Sequence, residues 1–219
     1  VGKYILSTIK LGLQFSSKPN SSLESFIHFP LSDDDPNLHN KSLPFNSFCD
    51  ANWGPQDASK PSATNLHNVS IEESRSICGH IFFMGGCPIL WKTHKKARIS
   101  RSSCEAEVKA TDECVKNVQM FRHLLFDLNL LDATIHTNVY NDNRGSVDWS
   151  NSFSTKGMRH VNIRENAIRE ARVHNEVAIL HIPGSANPAD LFTKEFKSDS
   201  VFRHLRSLTL FYPSSFKPV

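Results

Sequence analysis

Short apolar runs separated by turn-forming residues recur along this 219-residue chain, and five of them have the length and pattern of β-strands. Gly85-Gly86, between the second and the third run, is typical of a hairpin turn, which favours an antiparallel meander for the first three strands. The last run is stopped by Pro183-Gly184. The predicted strands cover residues 48–53, 77–84, 88–92, 137–143 and 177–182.

A second pattern, with apolar side chains at three- and four-residue steps, predicts a long helix over residues 102–130. Ser102-Ser103 is suited to cap its beginning. Asn187-Pro188 is predicted to open another helix, with Asn as the cap and Pro in the first helical position. Shorter helices are predicted over residues 145–149, 161–173 and 201–210.

The order of these elements is three strands, helix, strand, helix, strand, helix. Such an order predicts a mixed sheet covered by helices, an α+β or α/β layer fold. The remaining stretches have little periodicity, apart from a short helix that runs into an extended piece near the start. That first segment covers residues 1–15, the predicted loops are 54–74 and 152–159, and a frayed tail is predicted over 212–219.

Composition adds little to this picture. An apolar content of 39% and a charged content of 21% are typical of a globular protein, and a net charge of +3 permits a nucleic-acid partner without arguing for one. No apolar run approaches the ~20 residues of a membrane span. The five cysteines form no C-x-x-C pair, which favours reduced thiols in an intracellular protein over a zinc or redox motif. Since the start lacks Met and a signal-peptide layout, we expect a fragment or a processed piece.

Four carboxylates occupy comparable places in the predicted elements, on strands, at a strand end or on helices. They are Asp50, Glu107, Asp142 and Asp190. A buried carboxylate such as the one in the first strand is costly to ionise unless a cation compensates it. Magnesium prefers hard oxygen ligands, and a pair of ions suited to phosphodiester hydrolysis needs carboxylates from several elements. Spacing alone leaves open whether these four acids converge.

Glu105 and Glu107 are alternatives for the helical position. They lie two residues apart, roughly 200° around a helix, so both cannot point at one centre. Glu107 aligns with Ala110 and Cys114 at the edge of the buried face. Glu105 is predicted to point further toward solvent, together with Lys109 and Asp112.

A run of cations precedes the long helix and has a single sign. A solvated face and a phosphate-facing role are equally compatible with it. The run of cations contains Lys92, His94, Lys95, Lys96, Arg98 and Arg101.

The three tryptophans, Trp53, Trp91 and Trp149, are predicted core residues, although one could stack on a base or a sugar.

Several stretches, in this order, resemble the ribonuclease H region that ends the polyprotein of copia-type LTR retrotransposons. Residues 5–15 upstream and Phe202-Arg203-His204-Leu205-Arg206 downstream are similar to the flanking segments of that family. The central matches are Phe48-Cys49-Asp50-Ala51-Asn52-Trp53, the hairpin at residues 76–93, Ser102-Ser103-Cys104-Glu105-Ala106-Glu107, Tyr140-Asn141-Asp142-Asn143 and Asn187-Pro188-Ala189-Asp190-Leu191-Phe192-Thr193-Lys194.

The resemblance implies a ribonuclease H-like fold, with a five-stranded mixed sheet whose first three strands are antiparallel. It also implies an endonuclease that cuts the RNA strand of RNA–DNA hybrids with two Mg²⁺ ions, with Mn²⁺ as an alternative. The implied catalytic residues and metal ligands are Asp50, Glu107, Asp142 and Asp190. Glu107 is preferred to Glu105 because a similar helix in the wider superfamily has alanine three residues after the ligand, here Ala110.

The same resemblance implies the surroundings of the site. Hybrid contacts are expected from Lys92, Lys95, Lys96, Arg98, Arg101 and Asn143. Residues 1–42 would be the tail of the reverse transcriptase or its connection segment, 43–196 the ribonuclease H-like domain, and 197–219 a C-terminal helix and tail. The implied partner is the reverse transcriptase region of the same polyprotein, and the implied location is a cytoplasmic retroelement particle or the nucleus, with no membrane.

Two alternatives stay open. The chain could be a catalytically inactive, diverged nucleic-acid-binding remnant of a retroelement polyprotein, which the fragment-like start favours. Asn187-Pro188-Ala189-Asp190 also hints at a BEL/Pao-type element with the same fold, although the copia-like flanking stretches argue against it.

Overall fold

A computed structural model describes residues 11–13, 45–54, 75–84, 87–152 and 166–210 of the chain. Several predictions concern residues outside these ranges. They are most of the first segment at 1–15, the loops at 55–74 and 153–159, the Gly85-Gly86 turn and the tail at 212–219.

The described part of the chain contains one five-stranded sheet in the order β3-β2-β1-β4-β5. The pairs β1–β2 and β2–β3 are antiparallel, whereas β4 runs parallel to β1 and β5 parallel to β4. This arrangement confirms the predicted mixed sheet with three antiparallel N-terminal strands. The strands are β1 (Phe45–Asn52), β2 (Ile77–Met84), β3 (Cys87–Lys95), β4 (Thr137–Asn141) and β5 (Val177–His181).

Within the described ranges, four α-helices accompany the sheet: α1 (Ser103–Asp127), α2 (Arg144–Asn151), α3 (Ala167–Val173) and α4 (Asp199–Ser207). Ser102 caps α1 as predicted, because its hydroxyl accepts a hydrogen bond from the Glu105 amide. Among the described helices, none is both long enough and apolar enough to cross a bilayer.

The predicted helix that Asn187-Pro188 opens is a short 3₁₀-helix, Pro188–Phe192, the second of two described in this stretch, the first being Gly184–Ala186. The predicted cap is confirmed, because the Asn187 side chain accepts a hydrogen bond from the Ala189 amide. The side-chain amide nitrogen of Asn187, Nδ2, donates a hydrogen bond of 3.0 Å to the Cys49 carbonyl oxygen. This bond attaches the 3₁₀-helix to the central strand.

Strand β1 is central and is buried on both faces. On one face, Cys49 and Val139 pack with Val108 and Val118 of α1. On the other face, a separate cluster is covered by the 3₁₀-helices, and it contains Phe48, Ile81, Phe83, Tyr140, Ile182, Ala186 and Ala189. Helical elements on both faces therefore enclose the carboxyl end of β1.

The tryptophans only partly follow the sequence prediction. Trp149 is buried, and the Arg169 guanidinium lies 3.9 Å from the centre of its ring. Trp53 and Trp91 were wrongly predicted as core residues, because they are 48% and 49% exposed. Since Trp91 lies on β3, which pairs only with β2 within the described sheet, its side chain has neighbouring strands on one side alone.

Candidate metal centre

Three of the four acids singled out in the sequence meet at the carboxyl end of two central strands. Cys49 lies opposite Asn141 in the parallel β1–β4 pair, so the residues that follow, Asp50 and Asp142, emerge side by side. Asp190 reaches the same place from the second 3₁₀-helix. One carboxylate oxygen from each of the three lies within 4.8 Å of the others.

Glu107 lies beside this cluster, on α1. Its Oε2 accepts a hydrogen bond of 3.0 Å from Asn141 Nδ2, and the same amide group donates to Thr111 Oγ1 at 3.2 Å. Asn141 Oδ1 in turn accepts from the Asn143 amide at 2.7 Å. These bonds, formed by a fully buried asparagine, fix the direction of the Glu107 carboxylate.

Glu105 has a different set of contacts. Its Oε1 lies 2.6 Å from Lys109 Nζ, and its Oε2 accepts from the Arg101 amide at 2.7 Å. The pairing with Lys109 agrees with the predicted direction of the side chain. The predicted exposure was wrong, because Glu105 is only 5% exposed, these contacts holding it against the start of α1.

A lysine occupies the space between the three acids. Lys194 Nζ lies 2.9 Å from Asp190 Oδ1, 3.1 Å from Asp50 Oδ1 and 3.7 Å from Asp142 Oδ2. The preceding residue, Thr193, donates its hydroxyl to Asp50 Oδ2. Thr193 and Lys194, which follow the 3₁₀-helix, therefore both contact the Asp50 carboxylate.

Two glycines allow the elements of the site to approach one another. A Cβ at Gly79 of β2 would lie 2.8 Å from Phe192 Cβ and 2.9 Å from Thr193 Cγ2. A Cβ at Gly184 would lie 3.0 Å from Asp142 Oδ2. Glycine is therefore required at position 79 for the second 3₁₀-helix to pack against the sheet.

Crowding and burial favour the neutral form of these acids. Burial and the charge of Asp50 raise the pKa of Asp190 to about 7, although Lys194 opposes the shift. Burial, followed by the charges of Asp50 and Asp142, raises the pKa of Glu107 well above its usual value. The pKa of Asp142 is raised by burial and by Asp50. The site therefore holds more negative charge than its surroundings stabilise.

This donor set fits a divalent cation. The ligand atoms are hard carboxylate oxygens from three separate elements, as Mg²⁺ and Mn²⁺ prefer. Asp50 Oδ1 is buried and accepts no hydrogen bond from the residues that the structure describes. An acceptor in this condition is open to a cation, and its contact with Lys194 is an ion pair.

The predicted nucleic-acid contacts divide into two groups. Lys92 and Lys96 pair with Glu113 of α1, with Nζ–oxygen distances of 2.9 and 2.7 Å, and His94 lies 2.7 Å from the same carboxylate. Lys95, Arg98 and Arg101 are exposed. Glu113, which the sequence analysis did not connect to the run of cations, therefore neutralises part of that run.

Asn143 has a structural contact of its own. Its Oδ1 accepts a hydrogen bond of 2.9 Å from the Ser146 amide and so caps α2. A nucleic-acid contact by Asn143 would have to use its side-chain amide group.

Sequence reasoning missed Asn141, Thr193 and Lys194 as site residues. Each belongs to a stretch that carries the family resemblance: Asn141 directly precedes Asp142, and Thr193 and Lys194 follow Asp190 by three and four residues. The available signal for Lys194 was its spacing, since residues four apart on a helical turn share a face.

The chain is similar in sequence to curated retroelement polyproteins. It is 30% identical over 125 residues to the retrovirus-related Pol polyprotein from transposon TNT 1-94 of Nicotiana tabacum, which covers 57% of this chain and 9% of that polyprotein. The Pol polyprotein from transposon RE1 of Arabidopsis thaliana is 28% identical over 130 residues, 59% of this chain and 9% of the polyprotein. The Pol polyprotein from transposon RE2 of the same plant is 26% identical over 117 residues, which cover 53% of this chain and 8% of the polyprotein.

These matches confirm the resemblance to polyproteins of this kind, and the chain spans less than a tenth of the length of the relatives it matches. No protein-family model matches the chain.

Solved ribonuclease H structures are similar in fold at low sequence identity. The crystal structure of RNase H1 from the archaeon Halobacterium salinarum NRC-1 is 12% identical, with a TM-score of 0.46, covering 68% of this chain and 94% of that one. LC11-RNase H1 in complex with an RNA/DNA hybrid is 14% identical, with a TM-score of 0.47, covering 68% and 93%. At TM-scores of this size the likeness carries no argument about activity, and the fold class rests on the order and directions of the strands.

Proposed function

We propose that this chain, a relative of the Pol polyproteins of plant transposons, is the ribonuclease H region of a copia-type retroelement. In this proposal it hydrolyses the RNA strand of RNA–DNA hybrids at internal positions during reverse transcription. Its partners would be the hybrid and the reverse transcriptase region of the same polyprotein, inside a cytoplasmic particle or the nucleus.

One observation carries the proposal. Asp50, Asp142 and Asp190 come from three different elements, and their oxygens lie within 4.8 Å of one another. Convergence of this kind is what spacing in the sequence left open, and it places the acids at the end of the central strands, beside Glu107. An acidic cluster of hard oxygen donors supports metal-assisted hydrolysis of a phosphodiester.

In the proposed mechanism, Asp50, Glu107, Asp142 and Asp190 would hold two divalent ions, Mg²⁺ or alternatively Mn²⁺. Ions bound there would supply activation of the attacking water and stabilisation of the leaving 3′ oxygen. Asp50, which is fully buried, would be the ligand contributed by the central strand. Asn141 keeps the Glu107 carboxylate directed toward the centre through its 3.0 Å hydrogen bond.

The exposed cations are proposed to hold the hybrid. Lys95 is the last residue of β3, and Arg98 and Arg101 lie between it and the beginning of α1, where all three are free to face phosphates. Lys92 and Lys96, which were also predicted to contact the hybrid, would have to exchange Glu113 for phosphate.

The test is cleavage of an end-labelled RNA–DNA hybrid with Mg²⁺, beside an EDTA control and an Asp142→Asn variant. Magnesium-dependent cutting of the RNA strand that the variant loses would support the proposal. Absence of cutting by a folded protein that binds Mn²⁺ would overturn the proposed activity. Single-stranded RNA and double-stranded RNA of the same sequence serve as substrate controls.

A second candidate is an inactive hybrid-binding remnant, and the position of Lys194 among the acids is the observation that favours it. A cation built into the protein could replace the metal permanently. Hybrid binding without cleavage, together with no binding of Mn²⁺, would select this candidate.

A further inference from the structure

The three acids of the candidate metal centre already share one positive charge, the ammonium of Lys194. Its Nζ lies 2.9, 3.1 and 3.7 Å from oxygens of Asp190, Asp50 and Asp142. These are the same three carboxylates whose oxygens could hold a metal ion. An ammonium and a divalent cation cannot both lie in the middle of three such oxygens, because each needs the same lone pairs.

The backbone holds Lys194 at this place. Its amide donates to the Asp190 carbonyl oxygen at 3.0 Å, and the Thr193 amide donates to the same oxygen at 3.2 Å. The Thr193 hydroxyl donates to Asp50. The root of the Lys194 side chain is thus fixed, whereas its charged end depends on the three carboxylates alone among the described contacts.

The side chain of Lys194 also has a way out. It is 36% exposed, while that of Asp50 is 0% exposed. Rotation of a long, flexible lysine stem carries the ammonium from the acids into water without any change in the backbone. The acids cannot follow, since they are held by β1, by the end of β4 and by the second 3₁₀-helix.

We infer that Lys194 is a built-in competitor for the metal: its ammonium holds the three carboxylates together in the metal-free protein and must leave before a divalent cation binds. The inference rests on the proposed function in one respect, namely that the acids bind a metal. One positive charge balances only part of three carboxylates, so a divalent ion that takes its place gains more attraction than the lysine loses.

Two consequences follow for the chain. Removing the charge with Lys194→Met tightens metal binding by about tenfold or more, because the ion no longer displaces a paired ammonium. The same change destabilises the metal-free protein, because three neighbouring carboxylates then repel one another. The metal-loaded variant loses little stability relative to the metal-loaded wild type. Metal therefore raises the melting temperature of Lys194→Met more than that of the wild type.

The experiment measures Mn²⁺ binding to the full, EDTA-dialysed chain by the loss of the electron paramagnetic resonance signal of free Mn²⁺. Lys109→Met is the matched control, because Lys109 forms an ion pair of the same i,i+4 spacing with Glu105, outside the cluster. Lys194→Arg is the second control, since it keeps the positive charge. Thermal unfolding by circular dichroism, with and without Mn²⁺, gives the second readout.

The expected result is a dissociation constant about tenfold or more lower for Lys194→Met and nearly unchanged for Lys109→Met and Lys194→Arg. Equal constants for wild type and Lys194→Met would overturn the inference. If Lys194→Met does not fold, reductive methylation of the wild type followed by peptide mass spectrometry decides. Lys194 should react faster with Mn²⁺ bound, and an unchanged or slower rate would overturn the inference.

These outcomes are distinguishable from failure of the proposed function. Cleavage by the wild type with equal metal affinities would leave the ribonuclease standing and remove Lys194 as the competitor. Tighter Mn²⁺ binding by Lys194→Met, in a protein that never cleaves the hybrid, would support Lys194 as the competitor and overturn the ribonuclease activity.

Discussion

Asn141 donates a hydrogen bond of 3.0 Å to Glu107 and joins the end of β4 to α1. This bond is the described link between the helical acid and the strand that leads into Asp142. It explains how Glu107, whose pKa is raised by burial and by neighbouring acids, keeps one direction.

The first prediction concerns this bond. Asn141→Asp keeps the size of the side chain but replaces the donor by a second carboxylate facing Glu107. We expect cleavage to fall by about 10- to 100-fold and the Mg²⁺ concentration for half-maximal rate to change, as is typical when a partner of a ligand is lost. The measurement is the initial rate of hybrid cleavage over a range of Mg²⁺ concentrations.

Asn117→Asp is the control for added charge, since Asn117 lies on α1 and donates to the Glu113 carbonyl oxygen away from the cluster. An equal loss in both variants would mean that charge alone, and not the bond to Glu107, lowers the rate.

The second prediction separates the two glutamates at the start of α1. Glu107→Gln removes a charge beside the acidic cluster, and we expect cleavage to fall by about 100-fold or more. Glu105→Gln breaks the contact with Lys109 and weakens the one with the Arg101 amide, so we expect full cleavage and a loss of about 1 kcal/mol of unfolding free energy. Urea unfolding and the cleavage assay, run on both variants, measure the two effects. A larger loss of cleavage for Glu105→Gln would show that the assignment is reversed.

The third prediction tests the close approach at Gly79. A methyl group there would meet Phe192 Cβ at 2.8 Å and Thr193 Cγ2 at 2.9 Å, so Gly79→Ala must displace the segment that carries Asp190 and Lys194. We expect a loss of about 1–3 kcal/mol of unfolding free energy, the usual cost of overpacking, together with weaker Mn²⁺ binding. Gly12→Ala is the control, because a Cβ at Gly12 has nothing within 4 Å. Equal midpoints of urea unfolding for Gly79→Ala and the wild type would contradict this packing.

Most of the sheet was predictable from the sequence because its strands are short apolar runs that end at turn residues. Residues 77–84 form β2 as predicted, and the antiparallel pairing of β2 with β3 follows from their short connection. The parallel pairing of β1 with β4 brings together residues 91 positions apart along the chain, as the bond from Ser47 to the Asn138 carbonyl oxygen illustrates. No local pattern specifies such a pairing, so before the structure the convergence of Asp50 with Asp142 was implied by the family resemblance alone.

Prediction of the site failed where the role or burial of a side chain depends on how separate segments pack. Glu113 lies 17 residues from Lys96 and 21 from Lys92, and its pairing with both depends on how α1 packs beside β3. The sequence likewise could not indicate that Glu105 is buried, since its burial depends on the loop that leads into α1. Lys194 belongs to a stretch that carries the family resemblance, yet its role depends on three acids from three elements.

The fourth prediction concerns His80, a buried side chain of β2 outside the acidic cluster. Its ring is 1% exposed and packs at 5.3 Å from that of Phe82, and its Nε2 has no hydrogen-bond partner among the described residues. Burial lowers the pKa of His80 from 6.5 to about 4, because the charged imidazolium would lose its hydration.

The sign of the pH effect follows from proton uptake. Between pH 6.5 and about 4 the unfolded chain binds a proton at His80 that the folded protein does not, so the contribution of His80 is complete above pH 6.5 and is lost as the pH falls toward 4. The loss amounts to roughly 3 kcal/mol at the acid end.

The His80→Gln variant cannot take up this proton, so we expect its stability to fall less between pH 7.5 and 4.5 than that of the wild type. Urea midpoints at several pH values measure this difference, and His123→Gln, which alters an exposed histidine of α1, is the control. Parallel pH curves for the wild type and His80→Gln would contradict the prediction, because acids common to both proteins titrate equally in each and only His80 distinguishes them.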